Sequence, residues 1–408
     1  MIAAATSPSR LIASRSTYDA VVVGAGIAGT LAAKGLADRG RSVLLVEAKK
    51  FPREKVCGCC LNVRGQEVLR RFGLLESVER LGGCSVGQLR LAVVGRRHVW
   101  PIAPMLATSR GALDELLFAS AAAAGAECLD GCRARVSPAS EPSVSVAASG
   151  IEPPQRVVSL ESDGRRQEVL CRLVISADGL THSSLASLPE FEYRVASGSR
   201  LGLQCMLEPP LCREAEYPPG ELTMAVGQGG YVGVTAVEGG RLDVAAAVDP
   251  ASLVAGGRPA DIVQRVLREC GLPIPAGLTD ARWRGTPPLT RRAGRVAGQR
   301  ILLIGDSLGY VEPFTGEGMS WAAASAEAAV PLADAAIGCW TPELSGRWEE
   351  ILRRKVFRHQ WMCQVTSRLT RSPRTAAWAA ALCERIPPLR RHAIRVCGGG
   401  ERPVASRA

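Results

Sequence analysis

The segment YDAVVVGAGIAGTLAAKGLADRGRSVLLVE, residues 18–47, restricts the fold more than any other part of the chain. It begins with a short run of β-branched residues, which is typical of a buried parallel strand. A helical pattern follows as far as Gly40, and a second apolar stretch ends in Glu47. Strand, helix and strand in this order predict a βαβ unit, and therefore an α/β fold built on a parallel sheet.

The turn before the helix carries the glycine pattern of a dinucleotide-binding site. Gly24 allows the tight turn, and Ala25 follows it in the loop. Gly26 leaves room for a pyrophosphate beside the backbone, and Gly29 lets the helix pack closely on the strand. The free N–H groups at the helix start attract phosphate, and Glu47 is placed to accept hydrogen bonds from an adenosine ribose. The pattern predicts a bound dinucleotide.

Two later segments favour FAD over NAD. One apolar run ends in Asp178, within the sequence ADG, and another ends in Gly305 and Asp306. A carboxylate at the end of a strand can reach the ribityl hydroxyls of a flavin, whereas a nicotinamide cofactor has no such polyol. The sequence therefore predicts FAD as the cofactor.

A turn containing glycine and proline precedes an alanine-rich helix in PFTGEGMSWAAASAEAAV. Pro313 is expected to fix the entry to the turn, and Gly316 and Gly318 open the helix. The free N–H groups at its start are suited to stabilise negative charge on a reduced flavin. Pro331 is expected to kink or end the helix.

Together these motifs resemble the FAD-dependent oxidoreductase family that includes geranylgeranyl reductases, flavin halogenases and aromatic hydroxylases similar to p-hydroxybenzoate hydroxylase. The resemblance covers roughly residues 18–340 and is carried by GAGIAG with Glu47, by SRGALDELL, by ADG and by GDSLGYVEPFTGEG. It implies that Arg110 contacts the ribityl–phosphate region, that Asp306 holds the ribityl chain, and that the backbone near Val136 borders the adenine. On sequence alone, Arg110 could equally be a solvent-exposed residue at a helix start.

The resemblance implies a Rossmann-like FAD-binding domain of the glutathione reductase type, with an inserted antiparallel β-sheet substrate domain and a C-terminal helical segment. The predicted boundaries are an extension at 1–17, a discontinuous FAD-binding domain within 18–340 (about 18–95, 105–188 and 285–340), a substrate sheet at about 190–284 and a basic helical region at 341–408. The extension contains Ala, Ser and Arg but no acid, so an organelle presequence is an alternative to a disordered start.

The stretch EKVCGCCLN brings three of the fourteen cysteines together. Geranylgeranyl reductases have a similar Lys-x-Cys-Gly-Gly stretch against the flavin, so Lys55, Cys57 and Gly58 are the flavin-facing candidates. A metal site is not expected, because a second pair of ligands at zinc spacing is missing. A disulfide, a redox-active thiol and simple packing remain open for Cys59 and Cys60. No catalytic acid or base is identified.

The net charge of +11 lies mostly in the last part of the chain, where residues 341–408 contain 14 basic and 5 acidic residues. No nucleic-acid-reading motif accompanies this charge, and no apolar run is long enough to span a membrane. A cytoplasmic protein is expected. Apolar residues at helical spacing, such as Leu344 and Trp348, lie among the basic ones. They predict either helices packed on the FAD domain or a peripheral membrane contact through which an apolar substrate is collected.

The reaction is less constrained than the cofactor. The Lys55–Cys57–Gly58 loop favours reduction of a C=C bond in a hydrophobic, isoprenoid- or polyketide-like substrate. Hydroxylation of an aromatic or polyketide substrate is the alternative, because the flavin itself performs that chemistry. Halogenation is disfavoured, since the family's Trp-x-Trp-x-Ile-Pro motif is absent, and a prenyl-chain escort would not retain FAD motifs. NAD(P)H is expected to bind only transiently, because a single dinucleotide fingerprint is present. A protein or quinone donor is the alternative.

Overall fold

The computed structural model describes residues 12–138, 155–209, 216–254, 257–312, 314 and 316–398. Its strands are β1 Thr17–Val23, β2 Val43–Val46, β3 Cys60–Leu61, β4 Cys84–Val93, β5 Arg96–Ala107, β6 Glu127–Leu129, β7 Arg133–Val136, β8 Arg156–Ser162, β9 Arg165–Ser176, β10 Tyr193–Val195, β11 Leu201–Leu207, β12 Glu221–Gly227, β13 Gly230–Ala236, β14 Leu242–Val248, β15 Arg284–Pro288, β16 Arg291–Ala293, β17 Ala297–Gly298, β18 Ile301–Leu303 and β19 Gly309–Tyr310. Its helices are α1 Ile27–Ala37, α2 Val63–Arg71, α3 Leu75–Glu79, α4 Arg110–Ala123, α5 Pro250–Val254, α6 Pro259–Glu269, α7 Gly318–Gly338, α8 Glu343–Leu352, α9 Arg358–Leu369, α10 Pro373–Arg385 and α11 Pro387–Gly398.

The first sheet is built around β1. Strands β2 and β9 pair with β1 in parallel on its two sides, β6 continues the sheet beyond β2, and β18 continues it beyond β9. The parallel order is therefore β18–β9–β1–β2–β6. Side chains such as Val21, Leu44 and Leu173 have no solvent exposure, which explains why these strands are continuous apolar runs. Helix α1 joins β1 to β2 as predicted, and the α/β fold with mixed sheets is confirmed.

The second sheet has the order β15–β11–β14–β13–β12–β4–β5–β3. All its neighbouring strands are antiparallel except β12 and β4, which run parallel. On one side of this sheet, α6 buries Ile262, Val263 and Val266 against it. A cavity is lined by residues of this sheet and by loops and helix starts that follow strands of the first sheet.

Two predicted boundaries need correction. The first FAD-binding segment was expected to extend to residue 95, and the third was expected to begin at about residue 285. Strand β4 instead pairs with β5 and β12, and β15 pairs with β11. Both therefore belong to the second sheet, because strand membership is decided by partners that are distant in sequence.

The start of the chain also differs from the prediction. Ile12 and Ala13 both donate backbone hydrogen bonds to the Gln167 side chain, at 2.7 and 2.9 Å, and Ala13 is fully buried. Strand β1 begins at Thr17. Residues 12–17 thus belong to the folded body, whereas residues 1–11 of the predicted extension lie outside the described part.

The last helices pack on the body through α8. Trp348 is fully buried, and its indole N–H donates a hydrogen bond of 3.1 Å to the Leu303 carbonyl of β18. Helix α7 continues through Pro331 to Gly338, so this proline does not end the helix, and of the two predicted alternatives only a kink stays a prediction. Among the described residues, no helix is long and apolar enough to cross a membrane.

One buried arginine joins three parts of the fold. Arg200, just before β11, has no solvent exposure. Its guanidinium pairs with Glu312 before α7 and with Asp249 after β14, each at 3.0 Å. It also donates to the Thr370 carbonyl at the end of α9 and lies over the Tyr231 ring at 5.5 Å. The second sheet, the approach to α7 and the C-terminal helices thereby meet at one side chain, and Arg371 adds ion pairs to the same two acids at 3.1 and 3.5 Å.

Replacing this arginine should destabilise the whole protein. We expect Arg200→Met to lower the free energy of unfolding by about 3–5 kcal/mol, because it leaves the fully buried Glu312 without its closest partner. Urea denaturation of FAD-loaded protein measures the change. Arg258→Met, which removes an exposed ion pair with Asp261, serves as the control and should change little. Equal stability of the two variants would contradict the role given to Arg200.

Candidate functional site

The cavity between the two sheets is lined by two kinds of residue. Loops that follow strands of the first sheet form one wall, and the faces of β11–β14 form the other. The lining residues from the first wall are Gly26, Ile27, Ala28, Lys55, Val56, Cys57, Gly58, Cys59, Cys60, Arg110, Ala177, Gly179, Gly305, Asp306, Gly316, Gly318, Met319 and Ala322. Nine of the predicted site residues are in this set: Gly26, Lys55, Cys57, Gly58, Arg110, Gly305, Asp306, Gly316 and Gly318.

The first turn requires glycine for steric reasons. Gly24 has φ +100°, and a Cβ at this position would lie 2.4 Å from the Ala177 carbonyl oxygen. A Cβ on Gly29 would lie 1.8 Å from the Gly24 carbonyl oxygen. The helix therefore starts in direct contact with the strand ends, and its N–H groups point to one side of the cavity.

The start of α1 is suited to an anion. Gly26 is its N-cap residue and offers no side chain to the free N–H groups. The guanidinium groups of Arg110 and Arg53 lie 3.6 and 3.8 Å from the position that a Gly26 Cβ would occupy. Both arginines are buried and share Asp114 as an ion-pair partner. Two buried cations beside an uncapped helix start fit the pyrophosphate of a dinucleotide.

Arg110 is the first residue of α4, but it is buried in the site and is not exposed to solvent. Sequence reasoning missed Arg53, although it lies only two residues before Lys55. The signal for it was the basic residue in FPREK, between the acidic end of β2 and the cysteine loop.

Glu47 acts first on the loop itself. Its carboxylate accepts a hydrogen bond of 3.0 Å from the Ala25 N–H and another of 3.0 Å from the Lys49 N–H. It also pairs with Arg53 at 3.1 Å. These contacts order the glycine turn, and the role of Glu47 toward a ribose stays a prediction.

Lys55 and Asp306, which are distant in sequence, meet at the cavity wall. The Lys55 ammonium and the Asp306 carboxylate are 2.9 Å apart, and Asp306 follows Gly305 in a helical turn after β18. At the start of α7, a Cβ on Gly318 would lie 2.9 Å from the Tyr310 hydroxyl, so the small residue lets Tyr310 approach the helix. Glu317 is the N-cap residue of α7 and makes no side-chain capping bond. Pro313 lies outside the described residues.

Asp178 and Val136 do not line the cavity. The Asp178 carboxylate accepts hydrogen bonds from the Ser184 N–H at 2.8 Å and from the Ser307 hydroxyl at 3.2 Å. The Val136 carbonyl accepts one of 2.8 Å from the Ser187 hydroxyl. Asp178 therefore joins the loops after β9 and β18. It lies beside the glycine turn, since a Cβ on Gly24 would be 2.8 Å from the Asp178 Cα, but it is not part of the cavity lining.

The cysteine loop contributes thiols of different acidity. A hydrogen bond from Cys59 and the charge of Arg110 lower the pKa of Cys57 to about 6, although burial opposes them. The same hydrogen bond and burial raise the pKa of Cys59 well above its usual value, and burial raises the pKa of Cys60. Cys57, Cys59 and Cys60 are free thiols, and no group of three or more potential metal ligands occurs in the part of the chain that the structure covers.

The opposite wall was not predicted residue by residue. It is formed by Leu203, Leu222, Met224, Tyr231, Gly233, Thr235, Asp243, Ala245, Ala246, Ala247, Leu289 and Phe314. Asp243 stands out because it is 1% exposed and accepts a hydrogen bond of 2.8 Å from the Gln204 amide. Burial raises its pKa well above the usual value for an aspartate. The signal in the sequence was a single acid within the apolar run LDVAAAV.

A dinucleotide cradle that opens directly onto an apolar chamber is the arrangement of a flavin-dependent oxidoreductase, because the reactive ring can meet a hydrophobic substrate there. The chain belongs to the FAD binding domain family, which matches residues 17–333. FAD as the cofactor, enzymatic function as an FAD-dependent oxidoreductase and the predicted family resemblance are thereby confirmed.

Several known proteins are similar over most of the chain. A menaquinone reductase from Mycobacterium tuberculosis is 28% identical over 93% of this chain and 90% of its own length. A flavoprotein/dehydrogenase from Cytophaga hutchinsonii has a TM-score of 0.74 at 18% identity, covering 93% of this chain and 92% of that chain. PqsL from Pseudomonas aeruginosa, described as a probable FAD-dependent monooxygenase, has a TM-score of 0.65 at 19% identity, covering 88% and 98%. The two solved structures share the fold.

Removing the carboxylate after β18 should loosen the cofactor. We expect Asp306→Ala to weaken FAD retention by about 1.5–3 kcal/mol, because a charged hydrogen-bond acceptor for the ribityl chain is lost. Equilibrium dialysis against FAD measures the change. Asp334→Ala removes a carboxylate of α7 that pairs with Arg41 outside the cavity, and it should retain FAD as the unaltered protein does. Equal retention by both variants would remove Asp306 from the cofactor site.

Proposed function

We propose that the protein hydroxylates a hydrophobic, ring-bearing small molecule, using FAD as the cofactor that activates oxygen. The observation that carries this proposal is the apolar wall opposite the cofactor cradle. Tyr231 and Phe314 meet edge to face with their ring centres 5.0 Å apart, and both are more than nine-tenths buried. Leu222, Met224 and Leu289 extend this surface. Such a surface favours a substrate with a flat apolar ring and excludes water.

Hydroxylation asks little of the protein side chains. Overall, one O₂ and one reduced nicotinamide with a proton are consumed, one oxygen atom enters the substrate and the other leaves as water. The residues of this chain hold FAD at the α1 start, close the cavity and orient the ring. The solved structure of PqsL, described as a probable FAD-dependent monooxygenase, supports this reaction by analogy of fold only.

Reduction of the substrate is the second candidate. The menaquinone reductases match almost the whole chain, which favours a quinone-like or isoprenoid substrate that receives electrons from the flavin. Reduction of a C=C bond would need a hydride equivalent from the flavin and one proton. NAD(P)H is the donor we propose for either reaction. It would bind transiently, since the glycine fingerprint at Gly24–Gly29 is the only one in the sequence.

The two reactions differ in their use of oxygen. FAD-loaded protein is supplied with NADPH or NADH and with a long-chain alkylphenol or an alkylated naphthoquinone. We expect oxygen consumption to rise with the alkylphenol and labelled oxygen gas to introduce one labelled atom into the product. Oxidation of the nicotinamide under strictly anaerobic conditions, with a substrate double bond lost, would instead identify the reductase. Asp334→Ala protein serves as the control for both assays.

We also propose that the C-terminal helices bind anionic membranes from which the substrate is collected. Trp361 on α9 and Trp378 on α10 are each 65% exposed. Val365 and Leu369 follow Trp361 at intervals of four, so they share one exposed face of α9. Tryptophan favours the membrane interface, and each basic residue near anionic lipid contributes on the order of 1 kcal/mol. The exposed basic residues of this region include Arg353, Arg354, Lys355, Arg358, Arg368 and Arg374.

Liposome cosedimentation tests this contact. The protein should sediment with vesicles containing anionic lipid at low salt and should be released at high salt. Replacing both Trp361 and Trp378 by Ser should reduce the bound fraction severalfold. Val254→Ser, which alters an exposed apolar residue of α5, serves as the control and should not change it. Protein that stays in the supernatant at low salt would show that the tail is structural only.

A further inference from the structure

The second-sheet wall has a polarity gradient that follows the strand register. In β14, Asp243, Ala245 and Ala247 line the cavity at alternate positions, which places their side chains on one face. Their partners in β13 are Thr235, Gly233 and Tyr231 respectively. The wall therefore runs from a polar pair, through a pair of small residues, to a tyrosine.

The small residues leave a shallow trough between the two ends. A Cβ on Gly233 would lie 3.0 Å from the Met224 sulfur, so even alanine would crowd this position. A larger side chain at Gly233 or Ala245 would therefore fill space along this part of the wall. At the far end, Tyr231 packs edge to face with Phe314. An apolar substrate that lies along this trough would place one end against Tyr231 and the other against Asp243.

Asp243 is placed to meet the polar end of such a substrate. It accepts a hydrogen bond from the Gln204 amide and forms no ion pair with any residue that the structure describes. It is buried beside the cysteine loop, where Cys59 also interacts with it. An isolated buried carboxyl is stable in its neutral form, and a neutral carboxyl has one O–H donor to offer. Burial raises the pKa of Asp243, which favours that form.

We infer that Asp243 recognises an oxygen atom on the substrate ring, a ketone or phenol oxygen that accepts a hydrogen bond from the Asp243 carboxyl group. The substrate class is then an oxygenated ring with an apolar extension rather than a pure hydrocarbon chain. Asp243 is a specificity-determining residue in this assignment. The assignment rests on the proposed function, because it deepens the description of the same cavity.

Two probes that share a carbon skeleton, one with ring oxygens and one without, test the inference. They are 2,3-dimethyl-1,4-naphthoquinone, whose methyl groups block addition of the Cys57 thiol to the quinone ring, and 2,3-dimethylnaphthalene. Their dissociation constants are measured by isothermal titration calorimetry on FAD-loaded protein without a reductant. The unaltered protein should bind the quinone about tenfold more tightly, as expected for one hydrogen bond in a buried site.

In Asp243→Ala, this preference should fall to nearly none, whereas affinity for 2,3-dimethylnaphthalene should change little. Asp243→Asn keeps the size but has a weaker donor, so an intermediate preference of about threefold is expected. It decides the question if Asp243→Ala does not fold. Glu221→Gln alters another buried carboxylate of the same sheet, one that pairs with Arg90 away from the cavity, and should leave the preference unchanged.

The inference is overturned if the unaltered protein binds both probes equally or binds neither, or if the Asp243 variants keep the full preference. Failure of the proposed function has a different signature. Protein that binds the quinone probe through Asp243 but neither consumes oxygen with an alkylphenol nor oxidises NAD(P)H refutes the reaction alone. If the protein is active but its preference between the two probes is the same in the Asp243 variants, only the proposed role of Asp243 in recognition is refuted.

Discussion

A guanidinium group without solvent contact determines how the two halves of the molecule meet. Arg200 needs several acceptors at once, because a buried cation with too few partners is strongly unfavourable. Glu312, Asp249 and the Thr370 carbonyl supply them from three separate parts of the chain. The approach to α7, the end of β14 and the end of α9 must therefore be in place together. The wall that contains Tyr231 is fixed by the same group, so the cavity shape depends on it.

Local motifs were predicted well where the physical requirement is itself local. The turn at Gly24 and the close packing at Gly29 follow from backbone sterics within one βαβ unit, and the sequence shows both directly. The sheet to which a strand belongs is harder to predict, because the residue pattern of a strand does not show which other strand it pairs with. Strands β4 and β15 lie in the chain next to segments of the FAD-binding domain but pair with β12 and β11 of the second sheet, so the predicted boundaries at 95 and 285 were misplaced.

The same distinction explains which site residues were found. Asp306 is recognisable because it follows an apolar strand and a glycine. Asp178 also follows an apolar strand, after Ala177, but its carboxylate joins two loops by accepting hydrogen bonds from Ser184 and Ser307. The position of an aspartate at the end of an apolar strand therefore does not show whether it lines the cavity. Asp243 and Arg53 have no motif of their own. They are identified only when burial and long-range pairing are known, because their surroundings come from several strands and loops.

The interleaving of the two sheets has a consequence for how the chain folds. Strand β1 pairs with β9, which comes much later in the chain. Strand β9 in turn pairs with the later strand β18, and β4 pairs with the later strand β12. The last strands of the two sheets are close together in the sequence, β15 at Arg284–Pro288 and β18 at Ile301–Leu303. Neither sheet can therefore close while the ribosome is still producing the first half of the protein. High contact order of this kind slows folding and leaves apolar strands exposed in the nascent chain, so the halves cannot be produced as separate folding units.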